Sequence, residues 1–228
     1  MSTSRFHRAG FSLIELLVVC AIIGIIVGFT IGPANTMMRG SQLTQGSALL
    51  NDQIALARQL ALTRNHAMEV RFYKYADPET PGEDPKEVTT WKYRGFQILE
   101  ILENGAAVPM NKVQNLPTTV MMNAGRLSSL LDETIRGTAK RPAANDPEIP
   151  RLSAKQVNKA ESYVYQSFRF RPDGSTDLPS AGENQWYLTL HGVNDRVPDE
   201  TTKPPPNFFT VQVDPVSGAT RSFRPTAG

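Results

Sequence analysis

The 228-residue chain has a single cysteine, Cys20, and only three histidines. One cysteine cannot form an intramolecular disulfide, and so few thiol and imidazole groups give no basis for a thiolate metal cluster. His-Glu-x-x-His, Gly-x-Ser-x-Gly and glycine-rich phosphate loops are all missing from the sequence. The sequence therefore offers no catalytic residue, metal site or cofactor site, and we expect a protein that is not an enzyme.

The chain also lacks an excess of charge of either sign. Its 24 lysine and arginine residues oppose 22 aspartate and glutamate residues, and two of the basic residues, Arg5 and Arg8, precede Gly10. Without the first ten residues, the two signs balance at 22 each. Bulk charge therefore gives no reason to expect a nucleic-acid partner.

The most distinctive feature of the chain is an apolar run near the N-terminus. From Phe11 to Gly32 there are 22 residues, and Glu15 is the only charged one. A helix of that length is roughly 33 Å long, which is close to the ~30 Å thickness of a bilayer's hydrocarbon core. Basic residues before the run indicate a cytoplasmic start. We therefore predict that residues 11–33 cross a membrane once, with the bulk of the chain on the outer side.

The order of signals around this run is unusual for export. Secretory signals place a small-residue cleavage site after the apolar core, whereas here Ala9-Gly10 comes before it. Cleavage after Gly10 would expose Phe11 and retain the whole apolar helix. The stretch GFSLIELLVVCAIIGI resembles the type IV pilin and type II secretion pseudopilin family, with glutamate fifth in the mature chain. The resemblance implies cleavage between Gly10 and Phe11 by a prepilin peptidase, followed by N-methylation of Phe11.

Glu15 needs a physical explanation, because a carboxylate inside a bilayer costs several kcal/mol unless it is paired or protonated. After cleavage, the new amino group of Phe11 lies at nearly the same depth. Pairing within one helix is awkward because both groups lie near its first turn. The resemblance implies that Glu15 pairs with a neighbouring subunit during filament assembly. The alternative is an incidental acid at the level of the lipid headgroups.

The resemblance also implies where the protein resides and what it contacts. We expect a single-pass protein of the bacterial inner membrane with its head in the periplasm, which enters a filament after processing. The implied partners are other pilin or pseudopilin subunits, the prepilin peptidase and the inner-membrane assembly platform. No cofactor is implied.

The rest of the sequence predicts one helix and a β-rich head. Apolar spacing over residues 34–65 predicts an amphipathic helix that ends at Asn65, and its buried stripe comprises Leu43, Ser47, Leu50, Ile54, Ala57 and Ala61. Seven strands are predicted from alternation and turn signals: Ala67–Tyr75, Thr90–Leu102, Thr118–Met122, Tyr163–Arg171, Gln185–His191, Phe208–Val213 and Ala219–Phe223. A short helix is predicted at Leu127–Ile135, with Ser128 or Ser129 near its start.

These elements predict an α+β fold. A long N-terminal helix, membrane-spanning in its first half, packs on an antiparallel β-sandwich head, which gives a pilin-like, ladle-shaped molecule. The expected organisation is a leader at 1–10, an assembly helix at 11–33, an amphipathic helix at 34–65 and a globular head at 66–228. Residues 76–89, 138–160 and 195–207 are predicted loops.

Three stretches are similar to the GspH/FimT group of minor pseudopilins. They are QIALARQLALTRN running into AMEVRFY, FRFRPDGST (168–176) and FFTVQVDPVSGATRSF (208–223). The group usually has a Gly-Arg pair in the last turn, where this chain has Gly218-Ala219-Thr220-Arg221. The resemblance implies a minor, non-enzymatic subunit of a type II secretion or type IV pilus-like filament.

The sequence is also compatible with two other interpretations of its function. A major pilin would share the same N-terminus. A DNA-binding minor pilin of an uptake system would use basic residues such as Arg169, Arg171, Arg221 and Arg224, but a few arginines do not favour nucleic acid as a partner. Asp173–Asp177 is predicted to be a hairpin turn rather than a calcium loop. His66 and His191 are predicted to be structural.

Overall fold

The computed structural model describes residues 12–77, 80–143, 146, 163–180, 185–197 and 202–225, apart from the side chains of 27–39. The chain divides into two compact units, Met1–Gly40 and Ser41–Gly228. Helix α1 extends from Leu13 to Arg64. It ends at Asn65, whose φ of 57° places it in the left-handed region typical of a residue that terminates a helix.

Within the second unit, α1 buries the stripe that its spacing predicts. The six predicted residues are each no more than 2% exposed: Leu43, Ser47, Leu50, Ile54, Ala57 and Ala61. They recur every three or four residues, so they lie on one face of the helix. This face forms one side of the hydrophobic core.

The described residues contain nine strands. They are β1 (Ala67–Tyr75), β2 (Lys92–Ile101), β3 (Ala107–Pro109), β4 (Gln114–Asn115), β5 (Val120–Met122), β6 (Val164–Phe170), β7 (Trp186–Gly192), β8 (Phe208–Val213) and β9 (Thr220–Phe223). Each of the seven predicted strands has a counterpart, and β1 and β8 have the predicted bounds. The two very short strands β3 and β4 were not predicted.

All nine strands join one antiparallel sheet in the order β6-β1-β2-β5-β7-β8-β9, with β3 and β4 also paired to β2. The α+β class is confirmed, but the predicted sandwich is not. The short strand β5 pairs with β2 on one side and β7 on the other, which links the two halves edge to edge. The helix, rather than a second sheet, covers the apolar face of these strands.

The predicted helix at Leu127–Ile135 is largely wrong. Only α2 (Glu133–Arg136) is helical, and its N-cap is Asp132, whose carboxylate accepts the Thr134 N–H at 2.8 Å. The two serines expected near the helix start instead contact the sheet. Ser128 Oγ accepts the Thr189 N–H at 2.9 Å, and Ser129 Oγ donates to the Gln185 carbonyl at 2.6 Å. Their hydroxyls therefore satisfy backbone groups of and next to β7 instead of capping a helix.

The face of the sheet opposite α1 is also covered. Tyr73 packs with Tyr75, Tyr163 and Tyr165. Beside them, Arg71 donates to Glu69 at 2.8 Å and to Asp146 at 2.5 Å, and all three side chains are less than a tenth exposed. Burial raises the pKa of the Glu69 carboxyl, but the charge and hydrogen bond of Arg71 outweigh burial and leave that pKa lowered.

Two hairpin turns meet at the C-terminal end of α1. Thr176 donates its N–H to the Pro215 carbonyl at 3.0 Å, which joins the turn after β6 to the turn between β8 and β9. Arg58 of α1 donates to the Ser217 carbonyl at 3.0 Å. Gly218 has a φ of 65°, and a Cβ there would overlap the carbonyl oxygen of Gly174. The two ends of the strand order are therefore brought together around the helix.

Candidate assembly segment

The candidate functional site is the first part of α1, residues 12–26, which we name the assembly segment. Its first turn has the geometry of a capping box. The Glu15 N–H donates to Ser12 Oγ at 3.3 Å, and the Ser12 N–H donates to Glu15 Oε2 at 3.4 Å. Both distances are longer than those of typical N–H···O hydrogen bonds. The Glu15 carboxylate is thus lightly held by its own chain and retains free acceptor capacity.

Ser12 was not among the predicted site residues, although a sequence pattern marks it. The Ser-x-x-Glu spacing just before an apolar run is the sequence signature of a capping box. Because Ser12 holds the carboxylate of Glu15, it belongs to the candidate site. Gly10 and Phe11, the predicted cleavage and methylation residues, lie outside the described residues.

The assembly segment exposes apolar side chains around its whole circumference. Ten large hydrophobic residues are between 46% and 83% exposed: Leu13, Ile14, Leu16, Leu17, Val18, Val19, Ile22, Ile23, Ile25 and Ile26. A continuous apolar surface of this kind marks a segment that is covered by a membrane or by another protein. Cys20 lies within it and is a free, exposed thiol.

Within the described residues, no helix combines the length and the apolar character that a membrane crossing requires. The predicted membrane span at 11–33 lies only partly within the described residues.

The ionisable groups of the head form separate structural contacts. Glu100 accepts hydrogen bonds from Arg64 at 2.9 Å and pairs with His66 at 2.7 Å. His191, which is 1% exposed, hydrogen-bonds the Gly192 carbonyl through Nδ1. Burial lowers the pKa of His191, against the opposing effects of that hydrogen bond and of the Asp195 charge. In the described part of the chain, no three metal-ligating side chains come together.

Some of the arginines considered for DNA binding are already bonded to other side chains of the protein. Arg169 is held by Glu69 at 3.1 Å, and Arg224 donates to Thr44 Oγ1 at 2.7 Å. Arg171 precedes a hairpin turn whose Gly174 N–H donates back to the Arg171 carbonyl at 2.8 Å, as predicted for this stretch. Arg221 lies on β9, directly after the turn that meets the turn following β6. Two of the four arginines, Arg169 and Arg224, are therefore held by contacts within the chain.

Comparison with known proteins identifies the N-terminal segment. The family described as the prokaryotic N-terminal methylation motif matches residues 5–31. The match contains Gly10, Phe11 and the described residues Ser12 and Glu15. The chain therefore carries the type IV prepilin motif at its N-terminus, as the resemblance in the sequence indicated.

Among solved structures, the chain is similar to the minor pseudopilin EpsH from the type 2 secretion system of Vibrio cholerae. The alignment covers 82% of this chain and 99% of that chain, with 9% identity and a TM-score of 0.41. A likeness of this degree establishes neither function nor partners. No curated protein sequence matches the chain.

Proposed function

We propose that the chain is a non-enzymatic pilin-like subunit, a minor pseudopilin of a type II secretion or type IV pilus-like filament. The observation that carries this proposal is the methylation motif at residues 5–31. It is supported by the exposed apolar surface of the assembly segment. In this proposal, prepilin peptidase cleaves after Gly10, and the amino group of Phe11 is then methylated.

Before assembly, residues 11–33 anchor the protein in the inner membrane with the head in the periplasm. The support for this step is the sequence, in which one charge interrupts 22 residues from Phe11 to Gly32. A lipid environment would cover the apolar side chains of the assembly segment. After extraction by the assembly platform, the same side chains pack against the helices of neighbouring subunits in the filament.

Glu15 sets the position of one subunit against the next. Its carboxylate oxygens can accept several hydrogen bonds, and among the described residues one of them accepts only the long contact from the Ser12 N–H. The amino terminus of a neighbouring Phe11 is a cation that would pair with this carboxylate. In an apolar surrounding the attraction within the pair offsets part of the desolvation cost of both ions, whereas either ion alone would bear that cost in full.

Two substitutions distinguish the proposed ion-pairing role of Glu15 from its role in capping the helix. Glu15→Ala removes both the carboxylate and the capping contact, whereas Glu15→Gln removes the charge but keeps a side chain suited to a capping box. We expect both variants to be cleaved and membrane-associated, and both to be excluded from sheared filaments. The measurement is immunoblotting of membrane and filament fractions from cells that also express the unmodified chain.

The two variants discriminate between the charge and the cap. If Glu15→Gln entered filaments at the normal level while Glu15→Ala did not, capping rather than ion pairing would be the role of Glu15. Normal entry of both variants would refute any assembly role for this residue.

A further inference from the structure

The two edges of the sheet differ in how their backbone groups are satisfied. Along β6, Tyr165 exchanges backbone hydrogen bonds with Lys140 at 2.8 and 2.9 Å. The Ser167 carbonyl accepts from Arg136 at 2.6 Å. The Arg169 carbonyl accepts the Asp177 N–H at 2.9 Å, and the Arg169 N–H donates to the Asp177 side chain at 2.8 Å. This edge is therefore occupied by the chain's own residues.

At the β9 edge, by comparison, the outward backbone groups have no hydrogen-bond partner among the described residues, and we call this edge open. The Asp214 N–H donates to the Ala219 carbonyl and the Asp214 carbonyl accepts the Gly218 N–H, so a bulge at Gly218 and Ala219 stands in the place of a hydrogen-bonded pair opposite Asp214. Because such pairs alternate along an antiparallel ladder, the backbone groups of Thr220 and Ser222 point away from β8. Within the described ranges, no strand or side chain hydrogen-bonds these outward groups. Arg221, Ser222 and Phe223 are exposed, and Phe223 is 51% exposed.

Contacts at both ends hold β9 alongside α1. Arg58 of the helix donates to Ser217 just before the strand, and Arg224 just after the strand donates to Thr44. Positions 44 and 58 are about 21 Å apart along a helix, which is close to the length of the strand and its flanking residues. Between them, the same helix face presents Ala48 and Ala55, which are small and exposed.

The chemistry of β9 specifies what would bind there. Arg221 and Arg224 flank the exposed Phe223, and no acidic residue occurs from Ala219 to Pro225. An added strand would gain main-chain hydrogen bonds from the open edge, and its side chains would meet the cation of Arg221 and the ring of Phe223. In the register centred on Arg221, a second copy of β9 would place Arg221 opposite Arg221, which is unfavourable across paired strands.

We propose that the outer edge of β9 is a strand-addition site for an extended acidic segment of a neighbouring filament subunit. The segment pairs with Thr220 and Ser222 through its backbone, places a carboxylate near Arg221, and covers Phe223 with an apolar side chain. The identification of the partner as a filament subunit rests on the proposed function. The ability of this edge to bind an added strand does not.

The test uses the full-length chain in detergent and a fluorescent seven-residue peptide of alternating glutamate and valine, with binding measured by fluorescence anisotropy. Ser222→Pro removes an outward N–H without removing a hydrogen bond to β8, since proline is tolerated on an edge strand in that orientation. Ser222→Ala is the matched control, and Arg221→Glu reverses the local charge. We expect saturable binding that weakens at least about fivefold in Ser222→Pro and Arg221→Glu and is unchanged in Ser222→Ala.

Two further probes test the mode of binding independently of any variant. The same peptide with alternate backbone amides N-methylated cannot pair with a strand, and we expect it not to bind. A peptide of alternating lysine and valine is expected to bind at least about fivefold more weakly than the acidic one. Circular dichroism of each variant confirms that the head remains folded, and Arg221→Glu tests the site even if Ser222→Pro unfolds.

Several results would overturn the proposal. They are the lack of binding by the acidic peptide, equal binding by the N-methylated peptide, and Ser222-dependent association of two copies of the chain. Single-stranded DNA that displaced the acidic peptide and bound more tightly would assign the edge to nucleic acid instead. Failure of this test with normal dependence of filament entry on Glu15 would remove the β9 site and leave the proposed function intact.

Discussion

The assembly segment and the head place their apolar residues in opposite environments. In residues 12–26 the large apolar side chains are about half exposed or more, whereas in the head the stripe of α1 from Leu43 to Ala61 is almost completely buried. Burial of apolar surface is the main favourable contribution to folding. The apolar surface of the head is therefore buried within its own chain, whereas in the proposed function that of the assembly segment is covered by a membrane or by other subunits.

The largest expected effect is in the head, at the contact between its two turns. Gly218→Ala would place a Cβ against the carbonyl oxygen of Gly174 at a φ of 65°. Because a backbone atom must move, we expect the free energy of unfolding of the head to fall by about 4 kcal/mol or more. Chemical denaturation of the full chain in detergent measures this change.

Gly105→Ala is the matched control for this prediction. Gly105 also has a positive φ, of 80°, but a Cβ there would meet no atom within 4 Å. The cost is then backbone strain alone, about 1 kcal/mol. Equal effects at the two glycines would contradict the interpretation that the turns are closely packed.

A pair of isoleucine substitutions compares the two regions directly. Ile54 is fully buried and Ile22 is 51% exposed. We expect Ile54→Ala to lower the free energy of unfolding of the head by about 3 kcal/mol because it leaves a cavity. Ile22→Ala should change it by less than about 0.5 kcal/mol while reducing the amount of subunit in sheared filaments. A large stability loss from Ile22→Ala would contradict the division between a self-sufficient head and a partner-dependent segment.

A smaller effect is expected from pH, through the buried His191. The pKa of this imidazole is lowered by burial, so below about pH 6.5 the unfolded chain binds a proton more readily than the folded one. The stabilisation associated with His191 is therefore present above that pH and is lost as the pH falls towards the folded pKa. We expect His191→Gln to flatten the dependence of unfolding free energy on pH between 5 and 7. An unchanged slope would exclude His191 as its source.

The smallest expected effect concerns the first turn of α1. Ser12→Ala removes the hydroxyl that accepts the Glu15 N–H, and we expect local protection at the helix start to fall by about 1 kcal/mol. Hydrogen exchange of the first-turn amides measures this change, and Ser12→Thr, which keeps the hydroxyl, should retain most of the protection. Equal exchange in the two variants would show that the capping box contributes nothing.

Local patterns were sufficient to predict many elements of the fold. Alternation of apolar and polar residues predicted the bounds of β1 and β8, and helical spacing predicted the buried stripe of α1. Such patterns do not specify which strands pair, so they did not predict that all nine described strands join one sheet, and the predicted sandwich is not confirmed. Strands β3 and β4 are three and two residues long, and their structure depends on pairing with β2 rather than on their own sequence.

The site residues also include some that a local pattern marks, whereas contacts between distant residues have no such pattern. The spacing of Gly10, Phe11 and Glu15 along the chain was sufficient to predict the prepilin motif, and the Ser-x-x-Glu pattern could also have indicated Ser12. In contrast, the ion pair of Arg71 with Asp146 joins residues 75 positions apart. The open edge at β9 depends on the order of strands in the sheet. Contacts of this kind follow from tertiary structure and leave no local signal.

The most direct test of the proposed function is mass spectrometry of the intact protein isolated from its native cells. We predict a chain that begins at Phe11, carries one added methyl group on its amino terminus and retains the apolar assembly segment. Gly10→Val should yield the uncleaved precursor. A native protein that still begins at Met1, or that has lost residues 12–26, would contradict the account.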